Sequence, residues 1–110
     1  MNYEVLITPE FKRLFKKLLK KYPSLKNDLQ SLISKLEDNP ELGVSLGNNI
    51  FKIRLAISSK GKGKSGGARV ITFLVYNKRE IYLVHIYDKS QLDNIRKEQI
   101  IDLLKSANLL

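Results

Sequence analysis

The 110-residue sequence contains no cysteine. That excludes a disulfide scaffold, a thiolate metal site and a cysteine nucleophile, and it fits a reducing cytoplasm. Histidine occurs once, at His85, and clustered acids are few. Such a set holds too few ligands for zinc, so neither a metal nor a cofactor is expected. No apolar run approaches the length that spans a bilayer, and a membrane partner is not expected. The opening "MNYEVLITPEF" lacks the basic, apolar and small-residue zones of a signal peptide. No internal repeat is present. The glycines of "GKGKSGG" lack the spacing and the following helix of a P-loop.

Positive charge is what the chain has in excess. Twenty lysines and arginines against eleven acids give a net charge of +9. An excess of this size favours a polyanionic partner such as nucleic acid, the ribosome or an acidic protein. The length suits one domain over residues 1–110, and 43% hydrophobic residues suffice for its core.

The patterning predicts an α+β fold of order β-α-α-β-β-β-α, an antiparallel sheet with a helical hairpin on one face and a C-terminal helix. "NYEVLIT" reads as an edge strand. Thr8 is an N-cap candidate, with Pro9 at the first helical position and Glu10 in the first turn. Phe11, Leu14, Phe15, Leu18 and Leu19 then form one apolar stripe, ending near Lys21. Pro23 breaks the chain before a second stripe of Leu25, Leu29, Leu32, Ile33 and Leu36. After "SLGNN" the period becomes two, with Phe51, Ile53, Leu55 and Ile57 inward and Lys52 and Arg54 outward. "ARVITFLVY" reads as a central strand covered on both sides, and "IYLVHIYD" as a third strand. "DNIRKEQIIDLLKSA" is the last amphipathic helix.

Lys52 and Arg54 share one face of their strand, and His85 and Tyr87 share one face of theirs. Arg69 opens the central strand. If these faces coincide, one surface carries several cations, an imidazole and a phenol. That set suits RNA cleavage, in which a 2′-hydroxyl attacks the adjacent phosphate and charge builds on the phosphoryl oxygens. Arginine grips two phosphate oxygens and stays charged. His85 is flanked by apolar residues and reads as a half-buried strand residue rather than a base. Lys12, Lys16 and Lys20 belong to a basic face of the first helix, and Lys60, Lys62 and Lys64 to the loop "SKGKGKSGGAR". Both groups read as sequence-independent contacts to RNA or ribosome. The acids Asp88, Asp93, Glu98 and Asp102 read as capping and solubility residues.

The combination of "FKIRL", "GKGKSGGARVI" and "YLVHIYDKSQLDNI" resembles the RelE/ParE superfamily of bacterial type II toxins, most nearly its RelE-like HigB branch. The resemblance covers nearly the whole chain. It implies a ribosome-dependent mRNA endonuclease without metal or cofactor, and a small antitoxin partner, expected to be a helix-turn-helix protein. The free toxin is expected to be a cytoplasmic monomer. By position, Lys52 and Arg54 match the family's paired basic residues, Arg69 the arginine that grips the scissile phosphate, and Lys89 a basic residue after the last strand. Some members hold a catalytic tyrosine where Ile95 stands here; Tyr87 is no positional match for it, and Tyr87, His85 and a lysine all stay open as the proton-transfer group. The competing readings are a ParE-like gyrase poison and a non-catalytic RNA-binding domain.

Overall fold

The computed structural model of the chain describes residues 3–61, 63, 66–91 and 94–110. Among these, the main elements are β1 (Glu4–Ile7), α1 (Pro9–Lys21), α2 (Leu25–Asp38), β2 (Val44–Gly47), β3 (Ile50–Leu55), β4 (Ala68–Val75), β5 (Glu80–Asp88) and α3 (Lys97–Ser106). The strands form one sheet of order β1-β5-β4-β3-β2.

Helix α1 starts where its capping residues dictate. The Thr8 hydroxyl accepts the Phe11 N–H at 3.3 Å and donates to the Leu83 carbonyl at 3.0 Å. One side chain therefore caps the helix and ties it to β5. Helices α1 and α2 lie on one face of the sheet. Phe11, Leu25, Leu29, Leu32 and Leu36 pack there against Phe51, Ile53, Val70, Leu74, Ile81, Leu83 and Ile86. Helix α3 covers part of the opposite face, where Ile100 and Leu104 meet Ile50, Ile71, Phe73 and Val84. Strand β4 is buried on both faces, as its near-continuous apolar run requires.

Three expectations need correction. The sheet is mixed, because β1 pairs parallel with β5. A further strand, β2, pairs antiparallel with β3. It is short and mostly exposed, so it carries no alternating apolar signal. Its turn works because Asn48 and Asn49 both adopt left-handed backbone, φ 55° and 62°, as a two-residue hairpin turn demands. Helix α3 begins only at Lys97; Arg96 is its cap, donating its backbone N–H to the Gln99 side chain at 3.0 Å.

Strand β5 contains one residue too many for its partner. Ile71 pairs with His85, but Thr72 pairs with Leu83, so Val84 is an inserted bulge residue. Before the bulge, Ile81 and Leu83 face the helical hairpin; after it, Ile86 does. The bulge shifts the side-chain phase and turns Tyr87 to the face of α3.

Gly67 sets the start of β4. A Cβ there would strike the Leu55 carbonyl and come within 3.0 Å of the Ala56 backbone. Glycine is needed for close approach of two main chains. Gly67→Ala is expected to destabilise the fold by about 1–3 kcal/mol, the usual range for overpacking. Thermal denaturation checks this, and an unchanged melting temperature would refute it.

Candidate active site

The register brings the expected residues into one row. Arg54 pairs with Arg69 across β3 and β4, and Arg69 pairs with Tyr87 across β4 and β5. All three point to the α3 face, because their neighbours Leu55, Ala68 and Ile86 point into the helix-side core. Lys52 lies on the same face one row along, in register with Ile71 and then His85. Lys89 follows directly after β5, and its backbone N–H donates to the Gly67 carbonyl at 3.0 Å. Loop start, central arginine and strand end therefore meet at one end of the sheet.

The row gathers basic side chains. Like charges directly across a strand pair repel, yet Arg54 and Arg69 face each other. Arg69 is only 5% exposed, and its guanidinium donates to the Ala68 carbonyl at 3.2 Å. Arg54 is exposed. Among the described residues, neither Arg54 nor Lys52 makes an ion pair. Cations gathered this way suit an anion with several oxygens.

Tyr87 is a proton donor at neutral pH. Burial pushes its phenol up, and the opposing Arg69 charge does not cancel that. Its hydroxyl donates to Asn94 Oδ1 at 3.4 Å, and Lys52 Nζ donates to the same oxygen at 3.2 Å. Asn94 was not among the candidates. It is an exposed residue in an irregular segment, with no pattern in the sequence to single it out.

His85 stacks at a tilt near Tyr87, with ring centroids 5.9 Å apart. Among the described residues, neither of its buried ring nitrogens has a hydrogen-bond partner. Burial lowers its pKa; the nearby Glu10 charge opposes this and Arg13 adds to it. Burial therefore favours the neutral imidazole, and the side chain is half-buried as anticipated. Because the histidine is single, its ring protons are unambiguous by NMR. Their titration midpoint is expected below the ordinary 6.5; a midpoint at or above it would place an acceptor on the ring.

The basic surface residues divide. Lys12, Lys16 and Lys20 are exposed on α1, across the sheet from the row. Lys62 and Lys64 lie outside the described residues. Lys60 departs from its expected role as a solvated docking residue. Its ammonium pairs with Asp88 Oδ1 at 2.9 Å, with side chains 9% and 1% exposed, and sits 5.1 Å from the Tyr22 ring centre. Asp88 likewise is no solubilising acid. It accepts the Tyr22 hydroxyl at 2.7 Å and both the Ser90 hydroxyl and backbone N–H, at 2.8 and 3.0 Å. The base of the loop is fixed too: Asp28 accepts from Ser58 at 2.6 Å, and the Ser59 N–H donates to Ser24 Oγ at 2.8 Å.

Burial works against the Asp88 carboxylate, but the bonds from Tyr22, Lys60 and Ser90 outweigh it and hold its pKa far below the carboxylate range. The stabilisation is thus complete above about pH 4, the value in an unfolded chain, and fades as pH falls toward the lowered folded value. Asp88→Asn leaves Lys60 unpaired and is expected to cost about 3–5 kcal/mol at pH 7. Denaturant titrations should find that this deficit shrinks below about pH 4. A pH-independent deficit would refute the ionic origin.

A row of cations beside a protonated phenol lies on the α3 face of a small mixed sheet, in a basic α+β protein. Comparisons with known proteins give the family. Residues 10–110 match the family described as the RelE toxin of the RelE/RelB toxin–antitoxin system, and the chain belongs to that family. The solved structure of a doubly substituted E. coli toxin RelE in the free state superposes with a TM-score of 0.61 at 14% identity, covering 96% of this chain and 98% of that one. At that identity the likeness is one of fold. Family membership makes this chain the toxin of a toxin–antitoxin pair, a ribosome-dependent mRNA endoribonuclease with an antitoxin partner.

Proposed function

We propose that the Arg54–Arg69–Tyr87 row, with Lys52 and Lys89 beside it, is the catalytic site for cleavage of mRNA on the ribosome. The carrying observation is the cross-strand register that places two arginine positions next to a phenol kept protonated. The 2′-hydroxyl passes its proton to solvent water as its oxygen attacks the adjacent phosphorus. A cyclic phosphate forms as the bond to the 5′-oxygen breaks. Arg54, Arg69 and Lys52 stabilise charge on the phosphoryl oxygens, where preorganised donors act most strongly. Tyr87 donates its proton to the departing 5′-oxygen. Lys12, Lys16 and Lys20 add sequence-independent backbone contacts, together with Lys62 and Lys64. No metal is invoked: among the described residues no group of three or more His, Cys, Asp or Glu could hold one.

The finer partner reading is a small helix-turn-helix antitoxin that binds a monomeric, cytoplasmic toxin. Among the described residues, no helix is long and apolar enough to cross a membrane.

The test is pulsed expression with mapping of mRNA 5′ ends, followed by cleavage assays on purified translating ribosomes. Arg54→Ala and Arg69→Ala should each reduce cleavage about 10²–10³-fold, the usual loss of one transition-state donor, and relieve growth arrest. Arg54 is exposed, so its substitution isolates chemistry from folding. A folded Arg54→Ala, Arg69→Ala double variant that still cleaves would overturn the assignment, as would DNA breakage with intact mRNA.

A further inference from the structure

Two donors from separate strands converge on one atom at the site. Lys52 Nζ on β3 and the Tyr87 hydroxyl on β5 both donate to Asn94 Oδ1, at 3.2 and 3.4 Å. The identity of that atom is fixed by chemistry. An ammonium only donates, so the amide presents its oxygen to it. Strand β4 lies between the two donors, and Asn94 bridges them over it. A lone oxygen held by an ammonium and a phenol has the surroundings that a phosphodiester oxygen gaining charge needs.

Exposure points the same way. Tyr87 is 6% exposed although the proposed reaction needs its hydroxyl at the substrate. Asn94 is itself exposed, lies in the irregular stretch before α3 and is bonded to that hydroxyl. The next residue, Ile95, packs against the α3-side core and anchors the stretch beside the row.

We infer that Lys52 and Tyr87 form one subsite for the RNA phosphodiester, Lys52 facing a non-bridging oxygen and Tyr87 the departing 5′-oxygen, and that the Asn94 carboxamide occupies this subsite in the free toxin as a stand-in that substrate must displace. The inference rests on the catalytic reading above. Displacement lowers apparent affinity by the fraction of molecules in which the subsite is open. Asn94 is then a plug: it takes no part in the reaction, and its removal favours binding.

The test uses the full-length toxin with Asn94→Ala and Asn94→Asp. The binding probe is a 2′-O-methyl RNA trinucleotide, which offers phosphodiesters but has no free 2′-hydroxyl to attack. NMR titration follows the Tyr87 ring. Asn94→Ala should bind about two- to tenfold more tightly, the scale of one or two neutral hydrogen bonds. Asn94→Asp should bind at least about tenfold more weakly, because a carboxylate holds Lys52 as a charge-assisted pair. On ribosomes, Asn94→Ala should lower KM with kcat unchanged. A fall in kcat for Asn94→Ala would overturn the plug and make Asn94 a positioning residue; unchanged probe affinity in both variants would also overturn it. Failure of the underlying site reading looks different: Arg54→Ala would then leave both probe binding and cleavage intact.

Discussion

Arg54 and Arg69 stand in register on adjacent strands, and the apolar packing behind them fixes that register. Two like charges in register destabilise a sheet, and Arg69 is also largely withdrawn from water. The flanking packing holds them there. Leu55, Ala68 and Val70 fill the helix-side core directly behind the pair. Gly67 lets β4 begin against the main chain of β3. A strand pair with this much apolar anchoring on one face tolerates strain on the other.

The opposite face supplies a different kind of support. Asp88 follows Tyr87 in β5 and therefore points the other way, where its buried carboxylate meets Tyr22, Lys60 and Ser90. This ties the end of β5 to the corner between α1 and α2 and to the short turn Ser58–Lys60. Asp28 and Ser24 fasten the same turn from α2. The strand that carries Tyr87 is thus fixed at its end, and so is the segment that leads into the basic loop. Lys60 has been drawn out of the loop's docking surface to serve this purpose.

The sequence carried the periodic parts of this structure plainly. The stripes of α1 and α2, the alternation in β3 and the unbroken apolar run of β4 each bury a face, and burial leaves a pattern. Thr8 was legible for a local reason, a cap placed before a proline. Strand β2 was not, because an exposed four-residue edge strand needs no apolar alternation. The coincidence of the Lys52, Arg54 and Tyr87 faces could be stated only as a condition. Period two says that residues 85 and 87 share a side; it does not say which side. That is settled by the single inserted residue Val84, whose effect depends on its partner strand. Asp88, Lys60 and Tyr22 meet from three distant segments, so no local spacing announced them. Asn94 likewise acquires meaning only from the two donors that find it.

The division of the sheet into two faces also limits what the remaining positive charge can do. Lys12, Lys16 and Lys20 stand on the outer surface of α1, beyond a helix layer and the sheet from the Arg54–Arg69 row. A helix packs roughly 10 Å from its neighbour, and exposed charges are screened over about 8 Å at physiological salt. These lysines therefore contribute little to the field at a phosphate held in the row. They can draw the protein toward a polyanion and hold it there, with no claim on the chemistry. A partner that touches both faces at once must be large enough to surround the domain's edge.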